Sequence, residues 1–449
     1  MSLAVSQQPK IFKLVFSKAV AELHNTTLDL TPCFTEKRYR FIDIHSFLHR
    51  HKLDIYESST LSVGFPAHAI ISYVWHGLTA ECYQLEKDRF FRVFCGVHGD
   101  GSLREDGGPI NLKVLEYVCL YASSPSGIRC QYLWLDRLCI MQTSKQDKAW
   151  QIGKMYDIYA SCEQCIVLLG GLQRLASYHE ETGSGWMDRA WTYQEAIANW
   201  QQTVLLSTDP YPVEKPSTDP VKAEQYHDAH WIIKNECYWE QLDAVFVGHD
   251  AESMPSLFLG NNPGACEMLS RVMEAITLNY LAVEGYASRD IMVDQASINQ
   301  LVLMGVAMRT SSRPVDMVFS ILGLLGVQDA FRDRITDFGK NERFRATLSL
   351  VEAMLYEVDG NMMADVPLWY SLVSVNEENQ QPDGNALVHN LPTLNDLTQM
   401  LDQNQTELQL PNLTLKREML LEWGYTFDPG REDLAIKAGG IASNIPVNC

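Results

Sequence analysis

Between Tyr132 and Glu195 the hydrophobic pattern changes period twice, and that alternation restricts the chain to a small set of folds. Tyr132, Leu133, Trp134 and Leu135 are apolar without interruption and stop at Asp136. This is the pattern of a strand buried on both faces whose end reaches the carboxyl edge of a parallel sheet. From Asp147 the period lengthens: Trp150, Ile152, Met155, Ile158 and Tyr159 recur at helical spacing, with Gln151, Lys154 and Asp157 between them, which predicts an amphipathic helix. Cys165 to Leu169 is again apolar throughout and closes on Gly170-Gly171. Strand, crossover helix and strand then make a right-handed βαβ unit with parallel strands. An earlier run, Ala69 to Trp75, ends at His76-Gly77 and supplies a third central strand. The predicted core is α/β.

Residues 1–206 form the first domain in this reading. Its N-terminal part predicts a strand at Arg40–Asp43, followed by a helix through D-I-H-S-F-L-H-R-H-K-L-D-I-Y. Between Thr79 and Pro109 an insertion carries a strand, Phe90–Phe94, and a Gly/Asp-rich loop suited to a hairpin. Pro, Ser, Thr and Asp crowd residues 207–220, which reads as a linker. Helical periodicity at Trp231–Phe246, Cys266–Ala282 and Phe344–Tyr356 predicts a mainly helical domain over 221–375. The rest, 376–449, reads as an Asn/Gln-rich mobile segment and a C-terminal tail.

Composition narrows the partners. A formal charge of −20 opposes binding to nucleic-acid backbones or anionic membranes, so neither is expected. No apolar run reaches the roughly 18 residues a spanning helix needs, and the N-terminus lacks a signal-peptide layout. A cytoplasmic protein is expected, with its eleven cysteines as free thiols rather than a disulfide framework.

The blocks S-Y-V-W-H-G, W-L-D-R-L-C-I-M-Q, Q-I-G-K-M-Y-D-I-Y, I-V-L-L-G and R-A-W-T-Y-Q-E occur in the order found in the fungal heterokaryon-incompatibility (HET) domain, which this chain resembles from about Arg40 to Asn199. Arg313 to Leu324 resembles a block that follows the domain in longer family members. The resemblance implies a role in fungal nonself recognition, with the domain as a trigger of growth arrest or cell death. The order of strands, D-x-x-L, helix and W-x-x-x-E is also similar to Toll/interleukin-1 receptor (TIR) domains. That implies a TIR-like or flavodoxin-like parallel sheet, self-association, and cleavage of the nicotinamide glycosidic bond of NAD. NAD is thus a substrate, and no resident cofactor is expected. Thr192 stands where the TIR block has cysteine.

On the residues themselves, Glu195 lies one helical turn after Trp191, and an aromatic wall desolvates an acid and raises its pKa. Such a carboxyl suits the oxocarbenium-like centre of glycosidic chemistry. The TIR likeness assigns the catalytic role to Glu195. Asp136, with Arg137 beside it, would hold a ribose hydroxyl or orient Arg189. Tyr73, Trp75, His76, Arg137, Arg189 and Trp191 complete the substrate-binding set. A competing reading makes Cys139 a nucleophile deprotonated by His76. Another makes the domain a non-enzymatic adaptor, meeting copies of itself or a protein partner through exposed Trp186 and Trp200. His76 stands where the family's block commonly has a small residue and Met141 where it has asparagine, which also leaves open a small-molecule biosynthetic enzyme on a HET-like scaffold. Cys162-x-x-Cys165, His45-x-x-x-His49-x-His51 and His227-x-x-His230 lack a closed ligand set, so no metal is expected. The Gly99–Gly108 loop lacks the Lys and Ser/Thr of a phosphate-binding P-loop and reads as turn chemistry.

Overall fold

The computed structural model describes residues 12–59, 65–80, 88–125, 129–177, 185–210, 230–242, 295–307 and 309–331, with shorter pieces between 334 and 353 and at 388–389, 407–409 and 414–416. The chain divides into two compact units, residues 1–270 with 332–336, and residues 271–331 with 337–449.

In the first unit the described strands are β1 (Lys13–Ala19), β2 (Thr27–Leu28), β3 (Tyr39–Asp43), β4 (Lys52–Ser58), β5 (His68–Tyr73), β6 (Phe90–Val93), β7 (Ile110–Asn111), β8 (Tyr132–Trp134), β9 (Gln164–Leu168), β10 (Thr203–Ser207), β11 (Trp231–Ile233) and β12 (Cys237–Gln241). The helices are α1 (Ile44–His49), α2 (Leu112–Ser123), α3 (Asp136–Cys139), α4 (Lys145–Ile152), α5 (Met155–Ala160) and α6 (Ala190–Ala198). Nine strands form one sheet in the order β1-β4-β3-β8-β5-β9-β10-β12-β11.

The expected parallel sheet is confined to its middle. β8, β5, β9 and β10 are mutually parallel, whereas β1, β4 and β3 on one side, and β12 and β11 on the other, join antiparallel. The sheet is therefore mixed. The parallel strands are the ones with unbroken apolar runs, because both of their faces are covered. Their spatial order is second, first, third, fourth in chain order, so the order reverses beside β5, where open α/β sheets hold ligands at the carboxyl ends. β8 and β9 are linked through α4 and α5 as the βαβ reading requires, but β5 lies between them, and the single helix expected from Asp147 is divided at Gly153-Lys154.

Two helical expectations are overturned. The D-I-H-S-F-L-H-R-H-K-L-D-I-Y run makes only the short helix α1, capped by the Asp43 carboxylate on Ser46 N–H (2.8 Å), and then turns at His51, φ 53°, into β4. A positive φ ends a helix, and the Leu53/Ile55 alternation then suits a strand. Likewise Trp231–Phe246 supplies β11 and β12, turned at Asn235 (φ 63°), which extend the sheet beyond β10. Asn tolerates this conformation and makes a hairpin where helical spacing alone suggests a helix. The insertion after Thr79 gives β6, paired with β7 and β2 in a separate three-stranded sheet, and a tighter hairpin bridged at Val97 and Leu103.

The core lies on both faces of the central strands: Ile70, Leu133, Trp134, Ile166, Leu168 and Val204 are essentially inaccessible to water. Each such side chain contributes about 1.5–3 kcal/mol of transfer free energy. The loops leaving β5 and β9 are pressed together at glycines. Leu78 N–H donates to Gly170 O (2.8 Å), and a Cβ on Gly77, whose φ is 57°, would lie 2.4 Å from the same oxygen. That close approach fixes the rim of the carboxyl edge beside β5.

In the second unit α7 (Gln295–Ala307) is followed by β13 (Thr310–Ser311), α8 (Asp316–Phe319) and α9 (Gln328–Phe331). Phe319, Phe331 and Phe338 pack there with ring centroids 5.9–6.5 Å apart. α8 and α9 are single turns, and β13 pairs with β14 (Val388–His389). Cys266–Ala282, most of Phe344–Tyr356, most of the 207–220 segment and most of the Asn/Gln-rich stretch lie outside the described residues; within that stretch β14 and β15 (Glu407–Gln409) are seen, β15 pairing with β16 (Thr414–Lys416). Among the described residues no helix is long and apolar enough to cross a membrane.

Candidate functional site

Ser72 and Tyr73 end β5, and because strand side chains alternate they leave the sheet on opposite faces. Each engages one carboxyl group. Ser72 Oγ donates to Glu195 Oε2 (2.5 Å) and accepts from Trp186 Nε1 (2.9 Å), forming a buried relay from indole to hydroxyl to acid. Glu195 comes from α6, which packs beside β5, and is 9% exposed. Burial pushes its carboxyl up to about 8; the nearby charge of Asp136 adds to the rise, while hydrogen bonds from Ser72 and Tyr159 and the Arg189 guanidinium restrain it. At neutral pH Glu195 is thus mostly protonated. Tyr159, on α5, has its hydroxyl 3.0 Å from Ile71 O, so its single proton serves either that carbonyl or the acid, and the carbonyl fixes the hydroxyl beside Glu195.

Tyr73 OH donates to Asp136 Oδ1 (2.6 Å), and the Arg137 backbone N–H donates to the same oxygen (2.6 Å). Burial raises the Asp136 carboxyl, and the Tyr73 hydrogen bond and the Arg137 charge hold it back. Asp136 opens α3 at the end of β8, as an apolar strand stopped by a carboxylate predicts, and Gln142 Nε2 steadies its carbonyl (2.8 Å). Glu195 thus meets the end of β5 through Ser72 and Asp136 meets it through Tyr73; both carboxyls are desolvated, and the charge of Asp136 is felt at Glu195. Environments of this kind separate acid and base roles in catalytic pairs.

Of the other residues singled out in the sequence, Arg137 is fully buried, with its guanidinium 5.5 Å from the Trp75 ring centroid. Arg189 and Trp191 are half-buried at the start of α6, Arg189 close enough for its charge to act on Glu195. Trp186, whose indole N–H reaches Ser72, is completely buried and so is not the exposed anchor an adaptor would use; Trp200 is half-buried. His76 points outward and pairs with Glu105.

Cys139 does not match a nucleophile. It is 0% exposed, and burial pushes its thiol up to about 12, the reverse of the activation a thiolate requires. Native protein treated with excess iodoacetamide near neutral pH is expected to leave Cys139 unmodified while the urea-unfolded chain is alkylated there, as read by peptide mass spectrometry. Rapid native modification would restore the thiol reading.

Ser72 and Tyr159 lie inside family-like blocks and Trp186 is expected only as a surface anchor, so the sequence does not connect any of them with Glu195, and a buried charge cluster beneath α3 leaves no sequence signal. Arg40, on β3, reaches Asp147 Oδ2 (2.9 Å), Glu57 Oε1 (3.2 Å) and the carbonyl of Cys139 (2.9 Å), over the Phe34 ring. Asp147 in turn accepts from the backbone N–H of Met141 (2.9 Å) and of Lys37 (2.7 Å). These bonds fasten the turn that follows Asp136.

A concavity away from these residues, lined by Asp88, Asn111, Lys113, Tyr117, Arg174 and Glu236 among others, has several of its polar groups paired with one another. Lys113 pairs with Glu236 (2.8 Å), Tyr117 donates to Glu236 (2.7 Å) and Asn111 to Asp88 (2.9 Å). Among the described residues no group of three or more His, Cys, Asp or Glu side chains is placed to hold a metal ion.

Residues 68–184 match the family described as heterokaryon incompatibility protein (HET), a segment that begins with β5, contains Tyr73, Asp136, Arg137 and Cys139, and stops short of Glu195. No curated protein and no solved structure matches the chain. The match points to a function of the heterokaryon-incompatibility type.

Proposed function

We propose that the first unit is the effector part of a heterokaryon-incompatibility system and that its chemistry is hydrolysis of the nicotinamide N-glycosidic bond of NAD. The observation that carries this reading is the buried Glu195 carboxyl, hydrogen-bonded to Ser72 at the carboxyl end of β5 and exposed to the charge of Asp136. The C–N bond breaks with its electron pair leaving on neutral nicotinamide, and positive charge develops on the ribosyl ring. A carboxylate in an enclosed site stabilises that charge far more than it would in water. Water then adds to the ribosyl carbon and releases a proton to solvent. Asp136, held by Tyr73, would accept a hydrogen bond from a ribose hydroxyl in this scheme. A protein partner, or assembly with further copies, would supply the trigger.

The active form of Glu195 in this scheme is ionised. In the free enzyme kcat/KM for nicotinamide release is therefore expected to rise with pH and level off above about 8. Purified protein, incubated with NAD over a range of pH and protein concentration with free nicotinamide measured by chromatography, tests this. No release under any condition would sink the proposal.

A further inference from the structure

Residues 104–108, R-E-D-G-G, pass across the carboxyl ends of β5 and β8 and are fastened at each step. Arg92 Nη1 donates to both oxygens of the Asp106 carboxylate (2.8 Å each), His76 pairs with Glu105, and Gly108 N–H donates to Asp106 Oδ1 (2.9 Å). Arg137 meets this strap from below. Its Nη1 donates to Gly107 O (3.4 Å) and its Nη2 to Gly108 O, while its buried Nε has no hydrogen-bond partner. The strap lies so close that a Cβ on Gly107 would come within 2.7 Å of Trp75 O, and one on Gly108 within 2.6 Å of Gln173 Nε2.

This is an unusual way to bury a guanidinium. Fully desolvated cations are normally paired with carboxylates or other anions that match the planar fork. Arg40, equally buried in the same unit, has two carboxylates. Arg137 has carbonyl oxygens, a nitrogen left over, and beside it an Asp136 whose Oδ1 already accepts from Tyr73 and from the Arg137 backbone. The carbonyls of Gly107 and Gly108 occupy the positions that the two oxygens of an anion would take on the fork.

We propose that Arg137 is the anion-binding residue of the site, taking a phosphoryl group of the substrate, and that the 104–108 strap occupies its guanidinium when no ligand is bound. Lifting the strap frees Nη1 and Nη2 for a two-pronged contact next to Asp136, with the Trp75 face alongside. The inference rests on the glycosidic reading only for the identity of the substrate, a phosphorylated riboside. The anion site itself stands apart from it.

Inorganic pyrophosphate is the probe, titrated calorimetrically into the full chain. Gly108 sits at φ 85°, so Gly108→Ala strains the seated strap and is expected to tighten pyrophosphate binding about tenfold. Arg137→Gln is expected to abolish binding in both backgrounds. Should that variant not fold, Arg137→Lys keeps the charge but not the fork, and is expected to weaken binding at least about tenfold. Absence of binding in both the wild type and Gly108→Ala, equal affinity in those two, or undiminished affinity in an Arg137 variant would overturn the proposal. Pyrophosphate binding that follows this pattern without any nicotinamide release would leave the anion site standing and remove NAD hydrolysis. Nicotinamide release indifferent to Arg137 would do the opposite.

Discussion

Glu195→Gln is expected to lower nicotinamide release by about 10²- to 10⁴-fold while making the fold less sensitive to alkali. The two effects have one cause. Glutamine is close to the shape of the protonated acid, so it still accepts from Ser72 and fits beside Tyr159. It cannot, however, ionise to meet a developing positive charge. In the wild type the folded-state carboxyl is raised from 4.5 to about 8, so between those values the native state holds a proton that the unfolded chain has released. Unfolding stability then falls as pH rises through that window, because the native state binds more protons than the unfolded one. Each tenfold difference in proton affinity amounts to about 1.4 kcal/mol, and the total is a few kcal/mol. Thermal unfolding of the wild type is therefore expected to drop from about pH 5 to about pH 8, while that of Glu195→Gln declines less. If both proteins show the same pH dependence, Glu195 is ionised in the native state and the desolvation argument fails. If Glu195→Gln retains full release, the acid is a structural element of the relay with Ser72.

What the sequence shows of this site follows from which forces leave a local pattern. β5, β8 and β9 are legible because strands covered on both faces must be apolar at every position, and Asp136 stands out as the residue that breaks such a run. β4 and β12 are half-hidden. Their residues fit a helical period when the turn before each is missed, and those turns depend on single residues with positive φ, His51 and Asn235. The flanking antiparallel strands also cannot be deduced from a βαβ pattern, which speaks only for parallel neighbours. Glu195 is found through its block, but the indole N–H of Trp186 behind its Ser72 partner is not, because that contact depends on how the segment before α6 docks against β5, which spacing along one helix does not encode. Ser72 is a single hydroxyl in an apolar strand, and its significance appears only when residues 123 apart in sequence meet.

The same limit hides the Arg40 cluster, whose removal carries the largest expected cost in stability. Asp147→Ala leaves the Arg40 guanidinium with Glu57 as its remaining carboxylate and strips the acceptors from two backbone amides, those of Lys37 and Met141. Losing one partner of a buried pair costs about 3–5 kcal/mol, because the charge left behind is not resolvated. Asp147→Asn is expected to cost less, since its amide oxygen still accepts from one of those amides and from the guanidinium. Urea unfolding of the two variants beside the wild type measures the difference. A cost below about 1 kcal/mol for Asp147→Ala would mean that water or rearranged side chains replace the carboxylate, and that the cluster holds nothing. The consequence for the site is local. Arg40 binds Cys139 O and Asp147 binds Met141 N–H, so the cluster grips the turn on either side of Ile140, directly after the helix that Asp136 opens. Amide hydrogen exchange over residues 136–142 is accordingly expected to accelerate in Asp147→Ala under conditions where the rest of the sheet stays protected. Loss of nicotinamide release in that variant, with Glu195 untouched, would then trace to a displaced Asp136 rather than to unfolding.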